Sequence, residues 1–77
     1  MKLYGYSQKT KGELLELYEA TVSANPQMLR ELAKFFERCA YDIEEHGVDW
    51  NHSHFLSEDE NINKNGPSLV VFNANAE

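Results

Sequence analysis

Several function classes are excluded by what the chain lacks. It has one cysteine, Cys39, so no internal disulfide and no paired-cysteine metal site can form. No apolar run exceeds four residues, too short to span a bilayer, and residues 1–5 show no signal-peptide apolar region, so a cytoplasmic location is expected. The glycines, Gly5, Gly12, Gly47 and Gly66, are isolated, and no phosphate loop, dinucleotide motif, G-x-S-x-G or H-E-x-x-H occurs. Neither an enzyme nor a cofactor is therefore expected. Between residues 39 and 63 there is no Lys or Arg at all, while seven acidic residues (Asp42, Glu44, Glu45, Asp49, Glu58, Asp59, Glu60) give that third of the chain -7, against +1 for the rest. Such a field repels nucleic-acid phosphates and anionic membranes and attracts a basic partner, unless it serves only as a solvated surface.

The 77 residues suit a single domain, 1–77, with a thin core, because a chain this short buries only about 60% of the surface its unfolded form exposes. One stretch combines a start signal, an apolar period and a stop signal. Asn25 can cap a helix, Pro26 fits its first position and Gly47 ends it. Between them Met28, Leu29, Leu32, Ala33, Phe35, Phe36, Cys39, Ala40 and Ile43 recur at helical spacing.

The flanks read as strands. Leu3, Tyr4, Gly5 and Tyr6 form a first strand and 13–24 a second, with a turn over 8–12 making a hairpin. Residues 50–56 suit a short strand or strap, 57–66 a mobile loop, Leu69–Phe72 a buried strand and 74–77 a frayed tail. The expected fold is α+β: a small antiparallel sheet of about three strands, the last beside the first, with one long helix packed on one face, in the order strand-strand-helix-loop-strand. The other sheet face would stay open, with Leu15, Leu17 and one phase of Val70 and Phe72 on it, so a homodimer through that face is expected.

Reactive side chains gather after the helix. His52 and His54 project to one side of an extended backbone, and His46 or Asp49 would supply a third metal ligand. The competing role is structural: His46 bonds a free carbonyl at the helix end and the other two pin the loop, over Trp50. The carboxylates are not paired as catalytic acid and base, which need one buried and one solvated member. As a partner-binding surface the best set is Asp42, Glu45 and Asp49 at the helix end and Glu58, Asp59 and Glu60 in the loop, with Trp50 as apolar centre.

Three patches carry a family likeness: Lys2, Tyr4, Gly5, Tyr6 and Ser7; then Glu19, Thr21, Ala24, Pro26, Leu29, Arg30, Leu32, Ala33 and Phe35; then His46, Gly47, His52 and His54. In these the chain resembles immunity family thirty-two of bacterial polymorphic toxin systems; residues 57–65 lie outside the likeness. The resemblance implies a non-catalytic inhibitor that binds a cognate toxin encoded beside it. Many such toxins are nucleases with basic clefts, toward which an acidic inhibitor is steered. The alternatives are a small dimeric interaction domain with another partner, and a metal-binding protein built on His46, His52 and His54.

Overall fold

Residues 1–9 and 12–76 are described by the structure, a computed structural model. The element order is β1 (Leu3–Gly5), β2 (Leu15–Leu17), α1 (Pro26–His46), a 3-10 turn (Gly47–Asp49), β3 (His52–His54), α2 (Glu60–Asn65), β4 (Val70–Phe72) and a second 3-10 turn (Ala74–Ala76). The class is α+β with one long helix, as its sequence signals require.

Helix α1 begins and ends where its sequence dictates. The Asn25 side chain accepts a hydrogen bond from the Met28 amide at 2.8 Å, satisfying one of the amides that has no intrahelical partner. At the other end Gly47 adopts φ 59°, a backbone favoured by glycine, and its N–H reaches the Ile43 carbonyl. Leu32, Phe35 and Cys39 are buried, with Met28 and Ile43 half-buried on the same side. Phe35 meets the edge of Phe55, just after β3, with ring centroids 5.4 Å apart. Removing a buried phenylalanine costs about 3–5 kcal/mol. A chain of 77 residues has only about 4–12 kcal/mol of stability in total. Phe35 therefore supplies a large share of that stability.

The sheet differs from expectation. The strands form two separate antiparallel pairs, β1 with β2 and β3 with β4, and β4 does not lie beside β1. The registers are Leu3↔Leu17, Tyr4↔Glu16 and Gly5↔Leu15 in one, and His52↔Phe72, Ser53↔Val71 and His54↔Val70 in the other. Each strand has taken its neighbour in sequence, which costs less loop-closure entropy than joining the two ends of the chain. The second strand is three residues rather than the stretch 13–24, because Tyr18 and Val22 find no surface to pack on and remain exposed. Of the first turn, expected over 8–12, Thr10 and Lys11 lie outside the described residues.

The segment 57–66 is not a featureless loop. Asp59 caps α2, accepting from the Asn61 amide at 2.9 Å, and the Gly66 amide closes the helix on the Ile62 carbonyl at 2.9 Å. A Cβ on Gly66 would lie 2.7 Å from that carbonyl oxygen, so the sharp exit from α2 needs glycine. The run Leu69, Val70, Val71, Phe72, read as a buried strand, contributes only Val71 inward, half-buried opposite Ser53; the other three are exposed. The tail forms a turn on Asn73 through the Ala76 amide, and Glu77 lies outside the described residues.

The molecule is open for its mass. A folded monomer of 8.9 kDa exposes about 4,800 Å², whereas this chain exposes 6907 Å². Its radius of gyration, 13.5 Å, likewise exceeds the about 11.5 Å of a compact chain of this length. Much of the excess is apolar: Tyr6, Leu14, Tyr18 and Val22 in the N-terminal part and Leu29 and Phe36 on α1 are all exposed.

Candidate functional site

Two hydrogen-bond networks place the residues read as partner-binding. At the C-terminal end of α1, Asn73 is the organiser. Its side chain is 2% exposed, and its Nδ2 donates to the carbonyls of Gly47 and Trp50, both at 3.0 Å. Its Oδ1 accepts from the Asn75 amide at 3.1 Å, and its own amide donates to the Asn51 carbonyl at 2.8 Å. The end of β4 is thus tied to the 3-10 turn, after which Trp50 stands half-buried, next in the chain to exposed Asp49.

The second network locks the loop to the second turn of α1. Glu31 Oε1 accepts from Ser57 Oγ at 3.1 Å and from the Glu58 amide at 3.0 Å. Ser57 and Asn63 bond reciprocally, the Ser57 amide to Asn63 Oδ1 at 2.8 Å and Asn63 Nδ2 to the Ser57 carbonyl at 2.9 Å. The Asp59 amide closes the set on Ser57 Oγ at 3.0 Å.

The expected surface is consequently divided in two. Asp42, Glu45, Asp49 and Trp50 belong to the far end of α1, and Glu58, Asp59 and Glu60 sit beside Glu31. From Glu31 to Glu45 the helix rises about 21 Å. Between the groups runs a groove bordered by α1 and β3, with Phe35, Cys39 and Phe55 among its lining, Glu31 and Glu58 toward one end and Asp42 toward the other. Lys34 and Arg38 also line it, so the groove is of mixed charge and the strongly negative ground is the helix end. Within the loop group Asp59 is committed to capping α2, which leaves Glu58 and Glu60 as its outward charges.

Charge on α1 runs against the helix dipole. Its first turn holds no acidic residue, while Asp42, Glu44 and Glu45 crowd the negative C-terminal end, where His46 is the only basic residue of the last turn. Each such misplacement costs about 0.3–1 kcal/mol.

The histidines separate. His52 and His54 lie edge to face on the outer side of β3, centroids 5.3 Å apart, and His52 stacks on Phe72 of β4 at 6.3 Å, its Nδ1 2.6 Å from Asn51 Oδ1. His46 ends α1 and does not join them; among the described residues no group of three His, Cys, Asp or Glu is arranged to hold a metal. Cys39 is buried, and its thiol is pushed above the ordinary value by that burial and by Asp42, against a smaller pull from Arg38. No helix among the described residues is long and apolar enough to cross a membrane.

Glu31, Ser57, Asn63 and Asn73 organise the site and were not singled out by sequence reading. For α2 a signal was there: Asp59 at the cap, Glu60 in the first turn, Lys64 in the last and Gly66 beyond. For Glu31 and Asn73 there was none, since their partners are 26 or 27 residues away for Glu31 and 23 or 26 for the Asn73 amide group. No family model, curated protein or solved structure matches this chain.

Proposed function

We propose that this protein is a non-catalytic binder of a basic protein partner, and specifically a cytoplasmic immunity protein that neutralises a cognate toxin. The observation that carries the reading is the acidic C-terminal end of α1. Carboxylates there oppose the helix dipole and weaken the fold, so a role in recognition accounts for their presence where stability does not. Trp50, half-buried just after the turn that ends α1, supplies an apolar centre of the kind that dominates interface energies. The three patches that resemble the immunity family support the same reading.

Co-expression with the toxin encoded by the adjacent gene tests it. Growth is expected to be restored by this chain and lost again with Glu45→Lys/Asp49→Lys, whose association with the toxin slows and loses salt dependence. Undiminished toxicity in the presence of the unaltered chain would refute the proposal. A second reading, a dimeric interaction domain with a different partner, is favoured by the excess of exposed surface and predicts no rescue.

A further inference from the structure

Helix α1 carries two apolar stripes, and the fold uses one. Leu29, Ala33, Phe36 and Ala40 all remain exposed, Leu29 and Phe36 at 49% each. Their spacing of four, three and four residues is that of a helix-packing seam, spanning about 60° of the helix surface at 100° per residue. Along the edge of the stripe away from the core stand Arg30 and Glu37, also exposed.

We propose that this stripe receives a second copy of the chain, the two α1 helices packing antiparallel about a two-fold axis. Steric fit selects the orientation. With Ala33 opposite Phe36 of the second copy, Leu29 falls opposite Ala40, so every large side chain meets a small one and the helices close without voids. A parallel pair in register sets Phe36 on Phe36 and Ala33 on Ala33, overfilled at one level and empty at the next. Charge selects it too: the antiparallel register places Arg30 near Glu37 of the second copy, twice by symmetry, whereas the parallel one sets each charge level with its like.

The chain as a whole exposes about 2,100 Å² more than a compact monomer would, and Leu29 and Phe36 hold part of that excess on α1. A standard interface takes about 800 Å² from each partner, so side chains flanking the stripe join the contact. Glu45 lies about 150° round the helix from the stripe, so the acidic end stays free in the dimer.

Light scattering across a hundredfold dilution from high micromolar concentration should show twice the 8.9 kDa chain mass. Phe36→Asp, at an exposed position, should keep the helical circular dichroism and give a monomer, while Phe72→Asp on the outer face of β3–β4 should remain dimeric. Glu37→Arg should weaken association about tenfold, and adding Arg30→Glu should restore it. In a Cys39→Ala background, mixed Leu29→Cys and Ala40→Cys chains should form a disulfide with each other. Leu29→Cys alone should not, since its two copies would sit about 16 Å apart along the axis. A chain of 8.9 kDa at every concentration, a dimer indifferent to both Phe36→Asp and the charge swap, or self-linking Leu29→Cys would overturn the proposal.

Discussion

Asn73 concentrates more of the architecture than any other polar residue. One buried amide holds two carbonyls of the turn that carries Trp50 and accepts from the tail. Asn73→Ala is expected to cost about 1–3 kcal/mol, chiefly through the Trp50 carbonyl that loses its donor, since the Gly47 carbonyl keeps the Trp50 amide at 3.1 Å, measured by urea unfolding. Asn73→Asp should cost more, because a carboxylate would face the same two carbonyls; equal losses for the two variants would show that the amide acts by packing alone. Cys39 makes a second prediction at this scale. With its folded-state pKa raised, its contribution to stability is fully present below the ordinary thiol pKa of about 8.5 and is lost as pH rises through the raised value. The native protein should resist thiol reagents at neutral pH, and alkaline destabilisation should shrink in Cys39→Ala; fast labelling without unfolding would contradict the burial.

Among the elements, α1 is both scaffold and compromise. Its cap, apolar spacing and terminal glycine favour it, yet its charge order does not. Glu44→Lys/Glu45→Lys should therefore stabilise the chain, each change contributing about 0.3–1 kcal/mol at low ionic strength. For a domain this size that amounts to a rise of a few degrees in Tm per kcal/mol, about 4–8 °C. The gain should fade in high salt. If Tm falls instead, those carboxylates have structural partners and the case for a recognition role weakens. By contrast α2 is short and depends on its anchors: Asp59 caps it, Gly66 ends it, and the Glu31 carboxylate moors the segment before it to α1.

At the scale of the molecule, the three buried apolar residues among those described, all from α1, form a small centre for a chain that leaves so much surface exposed. Association should therefore be coupled to stability. The melting temperature is expected to rise with protein concentration, as mass action requires when the folded state dimerises. A Tm unchanged over a hundredfold range would place the exposed surface at the service of another partner. The single open sheet face foreseen for dimerisation does not exist as one surface: Leu15 lies on β1–β2, while Val70 and Phe72 lie on β3–β4. The helix stripe, by contrast, lies on a single element, with Leu29, Ala33, Phe36 and Ala40 all exposed on α1.

What the sequence determined alone was local. Asn25, Pro26 and Gly47 set the limits of α1 because caps and φ preferences act within one turn, and the α+β class followed from the helix and short apolar runs. The acidic, base-free third was likewise legible, since charge can be counted without coordinates. The three-dimensional structure decided everything that depends on contacts between distant residues. It split the strands into two local pairs, left Leu29 and Phe36 outside while burying Leu32 and Phe35, and parted the candidate surface along α1. It also made Glu31 and Asn73 the anchors. Helical periodicity marks which residues are apolar, but which apolar stripe is covered depends on where β3 and Phe55 come to rest, and that is set by packing across the fold.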